Sequence, residues 1–150
     1  YAIAFKALRE NGIDVSTEMI IGLDGDNESV FENTYKFIIE NKISIPRVHI
    51  ITPIPGTQLF EKMISENRIT SQDYSRYSGG KANFVPKNIS AQLLQNGYWD
   101  LYRKLFSWHS ILKRIFVNEA NLGPNMQAVV WAVNLRYKYH VHHKICPGIV

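Results

Sequence analysis

The chain has a single cysteine, Cys146, so no disulfide can form within it. That usage fits a reducing, cytoplasmic setting. Long apolar runs are missing too. The most apolar stretch, residues 126–135, falls far short of the ~20 residues that a membrane-spanning helix needs, and no N-terminal signal pattern is present. The sequence therefore reads as soluble, with no membrane span. There are no internal repeats and no low-complexity tract. At 45% hydrophobic and 20% charged residues, the composition suits a globular protein and excludes a disordered one. The chain opens on Tyr1 rather than Met, from which we expect a segment to precede it.

Acidic residues are scarce in one half only. Residues 91–150 hold seven Lys/Arg against Asp100 and Glu119, a net of +5, whereas residues 1–90 hold 10 Lys/Arg against 11 Asp/Glu, a net of −1. Such a split implies two parts with different surfaces. The basic part could face an anionic partner, or it could be a solvated helix face or docking surface. Its aromatics, Trp99, Tyr102, Phe106 and Trp108, read as packing residues rather than a base-stacking platform, so nucleic acid is not the expected partner.

What is present is an alternation of helices and strands. Residues 2–10 read as a helix stopped by Asn11-Gly12, and residues 15–23, with the run Met19-Ile20-Ile21, as a buried strand. Residues 28–41 carry apolar side chains at helical period. Pro46 is expected to close that unit, and residues 48–51 to form a second short buried strand. Thr57 can cap a helix over 58–67. Residues 1–67 thus suggest βα units on a parallel sheet, and two strands alone call for further strands beside them. Residues 68–89 read as a connecting loop with a short strand at 82–85. Ser90 is then expected to cap one long helix with a stripe from Leu94 through Tyr98, Leu101, Leu105, Trp108 and Leu112 to Ile115. After Gly123-Pro124 a second helix is expected over 126–139.

Ligands of parallel α/β folds bind on the loops after the strands. Two punctuated turns lie there, Gly22-Leu23-Asp24-Gly25-Asp26-Asn27-Glu28 and Thr52-Pro53-Ile54-Pro55-Gly56-Thr57. Gly22 offers an open approach to the backbone, though all these residues are also good turn formers. The first turn lacks the Gly-Lys-Ser/Thr ending of a phosphate loop, and its acids would repel phosphate. Its oxygen ligands are too few and too close for a calcium loop. In the tail, His140, His142, His143 and Cys146 cluster as H-x-H-H-x-x-C, but no second, distant pair completes a zinc site, so no metal ligand is assigned there. His109, beside Trp108, reads as a surface or packing residue.

The motif Gly12-Ile13-Asp14-Val15, then Met19-Ile20-Ile21-Gly22-Leu23-Asp24-Gly25-Asp26 with Glu28, then Thr52-Pro53-Ile54-Pro55-Gly56-Thr57, resembles the last two strands of radical S-adenosylmethionine (SAM) barrels. It is most similar to the class that often carries an N-terminal cobalamin-binding domain. Phe84-Val85-Pro86, Gly97-Tyr98 and the helix with Tyr102-Arg103 and Phe106-Ser107 resemble that class's C-terminal extension. The resemblance covers about residues 1–117 and fades beyond Asn118.

The resemblance implies an α/β fold: a fragment of a parallel (β/α) partial TIM-type barrel over 1–67, followed by a mainly helical extension over 90–150. It implies SAM and a 4Fe–4S cluster as cofactors, with cobalamin reached through an upstream domain. It also implies chemistry in which the cluster cleaves SAM reductively and the resulting radical takes a hydrogen from a small-molecule substrate. Ile20, Ile21, Gly22, Leu23, Ile51, Thr52 and Pro53 would flank the SAM adenine, and no residue here is expected to be catalytic. The family's CxxxCxxC cluster loop has no counterpart, because the sole cysteine is Cys146. The expected partner is therefore the upstream half of the same barrel, and the chain alone is expected to be inert. A small α/β binding module for an anionic partner, or a truncated remnant, are the competing expectations.

Overall fold

A computed structural model describes residues 1–71, 73–116 and 122–147, with Arg76 described by its backbone. Its elements are helix α1 (Ala2–Glu10), strand β1 (Ser16–Ile21), helix α2 (Ser29–Glu40), strand β2 (Ile45–Ile50) and helix α3 (Gln58–Ser65). A short 3-10 turn (Tyr74–Arg76) and helices α4 (Ala91–Leu105), α5 (Trp108–Phe116) and α6 (Pro124–His142) follow. The expected extension over 90–150 includes 117–121 and 148–150, which lie outside the described residues. Among the described residues, no helix is long and apolar enough to cross a membrane.

The fold is α/β, with two parallel strands and α2 as their crossover. In register, Met19 faces Val48 and Ile21 faces Ile50 on one side of the sheet, while Glu18 faces Arg47 and Ile20 faces His49 on the other. The first side is core. Ile21, Val48 and Ile50 are buried with Leu94, Tyr98 and Tyr102 of α4. Removing each of the three strand side chains from water contributes about 1.5–3 kcal/mol. The second side is not covered in the same way: Ile20 stays 57% exposed. β1 is therefore half-buried, contrary to the fully buried strand that its apolar run suggests.

Local chemistry explains the helix starts. The Thr57 hydroxyl accepts from Phe60 N at 3.3 Å, and the Ser90 hydroxyl accepts from Leu93 N at 3.1 Å. Three expectations need correction. Pro46 does not close the preceding unit but sits inside β2. Val48 N and Ile50 N donate away from β1, to Tyr102 Oη and Gly79 O, so strand alternation puts the Pro46 nitrogen on that same outer edge. No ladder bond is lost there. The short strand at 82–85 is an isolated bridge, Ile69 opposite Phe84. The single long helix after Ser90 is two helices. Ser107 Oγ accepts from Ser110 N at 3.2 Å and restarts the chain as α5. The restart changes the buried face to Ser110, Ile111 and Arg114, leaving Trp108 and Leu112 54% and 40% exposed.

The outer edge of β2 is sealed by the helical extension. The Tyr102 hydroxyl accepts from Val48 N and donates to Val48 O, both at 2.8 Å, as a neighbouring strand would. Gly79 O accepts from Ile50 N at 2.6 Å. A Cβ at Gly79 would stand 2.7 Å from His49 Nδ1, so only glycine can approach this closely without a shift.

Candidate functional site

A cavity of about 640 Å³ opens over the second side of the sheet and the turn that follows β2. Ile20, Ile51 and Ile54 give it apolar walls, and Tyr74 and Tyr77 stand across from them in an edge-on pair, ring centroids 5.3 Å apart. Its polar groups come from the strands. Glu18 is ion-paired to Arg47 at 3.0 Å, and His49 lies beside Gly79. Burial pushes the His49 imidazole below its ordinary pKa, with Glu18 opposing the shift and Arg47 adding to it. The group is held neutral. Behind it, Cys146 Sγ lies 4.0 Å from His49 Nδ1 and 2.9 Å from the Tyr98 hydroxyl. Burial pushes this thiol up against the opposing effect of the Tyr98 bond, which keeps it protonated and unreactive.

Of the residues expected to flank a cofactor, Ile20, Ile51 and Thr52 line this cavity. Ile21 turns into the core and is 1% exposed. Gly22, Leu23 and Pro53 lie outside the lining. Gly22 has φ +89°, and a Cβ there would meet Leu94 Cδ2 at 2.9 Å, so its glycine answers to the turn and to α4 packing. The N–H groups of Gly22 and Leu23 both donate to Asp26 Oδ2, at 2.8 and 3.0 Å. Glu18, His49, Tyr74 and Tyr77 were not foreseen. Strand alternation from Ile20 reaches Glu18, and the register adds His49. The two tyrosines sit in a loop without periodicity.

A second unforeseen feature ties the mouth of the sheet together. Asp24 accepts from Arg68 Nη2 at 2.7 Å and pairs with Lys62 and Lys87, each at 3.3 Å. Glu66 completes the network through Arg68 at 2.8 Å. The Arg68 hydrogen bond, with help from both lysines, outweighs burial and lowers the Asp24 carboxyl to about 2.

The tail histidines do not converge with Cys146. His143 Nδ1 bonds Tyr139 O at 2.8 Å, while Cys146 turns to Tyr98 and His49. Among the described residues, no group of three His, Cys, Asp or Glu side chains is arranged to hold a metal ion. His109 is exposed on α5.

Residues 57–146 match the family described as "Domain of unknown function (DUF4070)". The chain is 31% identical, over 89% of its length, to the bacteriochlorophyllide d C-12(1)-methyltransferase of Chlorobaculum tepidum. It is 22% identical, over 100% of its length, to the bacteriochlorophyllide d C-8(2)-methyltransferase of the same organism. Over 69% of its length it is 27% identical to the anaerobic magnesium-protoporphyrin IX monomethyl ester cyclase of Cereibacter sphaeroides. The chain spans 27%, 34% and 16% of these three proteins, respectively.

Proposed function

The chain belongs to the DUF4070 family, a radical SAM-associated domain, and on that premise we propose that it forms the C-terminal portion of a radical SAM enzyme. In this reading β1 and β2 are strands of a partial TIM-type barrel, and the cavity over their open face and the turn after β2 is part of the wall of the SAM site. The observation that carries the reading is that cavity: about 640 Å³, apolar, and seated where ligands of parallel α/β folds bind. SAM, once bound to an intact cluster, supplies the radical chemistry of this superfamily.

Ile20 and Ile51 would hold the adenine by apolar contact, and Thr52 would border it. Ile21, Gly22, Leu23 and Pro53 would shape the turns behind them. The walls would exclude water and orient the cofactor. A neutral His49 and a paired Glu18 would leave little net charge against it. The residues present do not fit the cluster, which requires several thiolates where the chain has only Cys146. We therefore assign the cluster to an upstream half of the barrel that completes the sheet. Cobalamin, bound by an upstream domain, rests on the class resemblance alone. The names of the relatives direct a substrate search toward tetrapyrroles, with methyl transfer or ring closure as the reaction type.

Anaerobic iron–sulfur reconstitution tests the assignment. The 150-residue chain is expected to gain no stoichiometric cluster and to cleave no SAM. Adding the cysteine-bearing segment should restore both. Cluster assembly and SAM cleavage by this chain alone would overturn the division of labour. No binding of S-adenosylhomocysteine to the completed pair would overturn the pocket assignment. That result, together with salt-dependent capture of an anionic partner, would favour the binding-module reading.

A further inference from the structure

A second cavity, of about 460 Å³, lies between the C-terminal halves of α4 and α6 and shares no residue with the strand-end pocket. Arg103 comes from α4, Lys138 and His142 from α6, and Lys144 from the turn after it. Phe106 and Leu135 give the cavity an apolar floor, with Tyr139 at its side, and among the described residues no Asp or Glu lines it. Leu135 and Tyr139 are 44% and 58% exposed, so apolar surface is left open between the cations.

These basic groups are not spread over a convex helix face, where solvation would suffice. They surround a concavity of the size that holds small molecules. Lys138 is already positioned: its Nζ donates to Phe106 O at 3.2 Å and stands 5.1 Å from the Trp108 ring centroid. An ammonium has three donors, so the bond to Phe106 O does not exhaust it. Arg103 meets Asp100 through one guanidinium nitrogen of three. The ordering cost of binding is thus partly met before a ligand arrives. A polyanion such as RNA would call for a basic track and free aromatic faces. Here the Tyr139 ring already lies against His143, centroids 4.0 Å apart.

We propose that this cavity binds a small amphipathic anion, an apolar ring or chain seated on Phe106 and Leu135 with its carboxylate or phosphate held by Arg103, Lys138 and Lys144. The site gives a purpose to three of the seven Lys/Arg of residues 91–150. It does not depend on the SAM reading.

The test uses 2-naphthoate and 2-naphthyl phosphate as anionic probes, 2-naphthalenemethanol as the neutral control and a short oligouridylate as the polyanion. Backbone amide shifts of the 150-residue chain report where each binds. Either anion should bind with shifts centred on Arg103, Leu135 and Lys138, and the tighter of the two names the headgroup. The neutral control should bind about tenfold or more weakly, as should the anion to the double variant R103Q/K144N. Both substituted residues are exposed, and Asn suits the φ of 54° at Lys144, so the variant should fold. Raising ionic strength on the unaltered chain should weaken the anion alone. Equal binding of the neutral control, an unaffected double variant, shifts confined to Ile20 and His49, or tighter binding of the oligouridylate would each overturn the proposal.

Discussion

The two outer edges of the sheet differ. Along β2, backbone groups that a third strand would pair are taken by Tyr102, Gly79 and, just before the strand, Arg114 and Asn134. Along β1, among the described residues no strand pairs with the outer edge, and Ser16, Glu18 and Ile20 are exposed beside it. An unpaired edge invites another strand, and proteins usually blunt such edges. Here one edge is finished by the extension while the other stays open. The difference assigns the extension a definite job: it ends the sheet on the β2 side, so growth can occur only beyond β1.

The closed edge should break most severely at Arg114. It is 1% exposed and, among the described residues, has no carboxylate partner. Its Nη1 donates to Ser44 O at 2.6 Å and Ile43 O at 3.2 Å, and its Nη2 to Leu105 O at 2.9 Å and Asn134 Oδ1 at 3.0 Å. Burial lowers the guanidinium to about 10, still charged at neutral pH. R114M strands these acceptors in the interior and should cost about 3–5 kcal/mol in urea unfolding. A loss under about 1 kcal/mol would show that the edge is closed without it. Tyr102→Phe is the finer cut. It leaves Val48 N and O unpaired and buried, and should cost about 1–3 kcal/mol. Hydrogen exchange at the Val48 amide should accelerate more than at its neighbours in β2. Uniform acceleration would mean that the hydroxyl does not stand in for a strand.

These two residues also mark where sequence reasoning stopped. The order of elements over 1–67 and the caps at Thr57 and Ser90 were legible, because hydrophobic period and hydroxyl capping act within a few residues. The break at Phe106–Ser107 was not. Leu105, Trp108, Leu112 and Ile115 keep helical spacing across it, and only Ser107 hinted at a restart. Pro46 misled because an edge position cannot be read before the edge is known. At the site, the turn after β2 was legible from its prolines, and the resemblance picked out Ile20, Ile51 and Thr52. Gly22 owes its glycine to Leu94, and Asp24 owes its lowered pKa first to Arg68, both partners distant in sequence.

The Asp24 network joins the open side's first turn to α3 and the loop beyond it, so it measures how firmly that side is held. The carboxyl is lowered from its ordinary value of 3.8 to about 2, first through the Arg68 hydrogen bond. A depressed acid contributes stability that is complete above the unfolded value and is lost as pH falls through the folded one. Urea midpoints should therefore fall between about pH 4 and pH 2 for the native chain. D24N should lack that component and be about 1 kcal/mol less stable at neutral pH, since the pairs are partly solvated. Identical acid profiles for the two chains would mean that the network does not hold the turn.

The smallest expected effect on stability bears most directly on the comparison. Ile20 sits on the uncovered side of β1, 57% exposed, and Ile50 sits on the covered side of β2, 1% exposed. Ile20→Lys should change the stability of this chain by less than about 0.5 kcal/mol. Ile50→Lys would bury an unpaired charge and unfold it. If a further segment completes the sheet beyond β1, a lysine at 20 enters that new interior. The variant should then fold normally yet fail to associate with the cysteine-bearing segment, as read by co-elution on gel filtration. Normal association would show that the added strands do not cover Ile20, and the open side would no longer be the docking side. A loss of about 2 kcal/mol or more in the chain by itself would show that Ile20 is already packed, and the contrast between the covered and uncovered faces would fail.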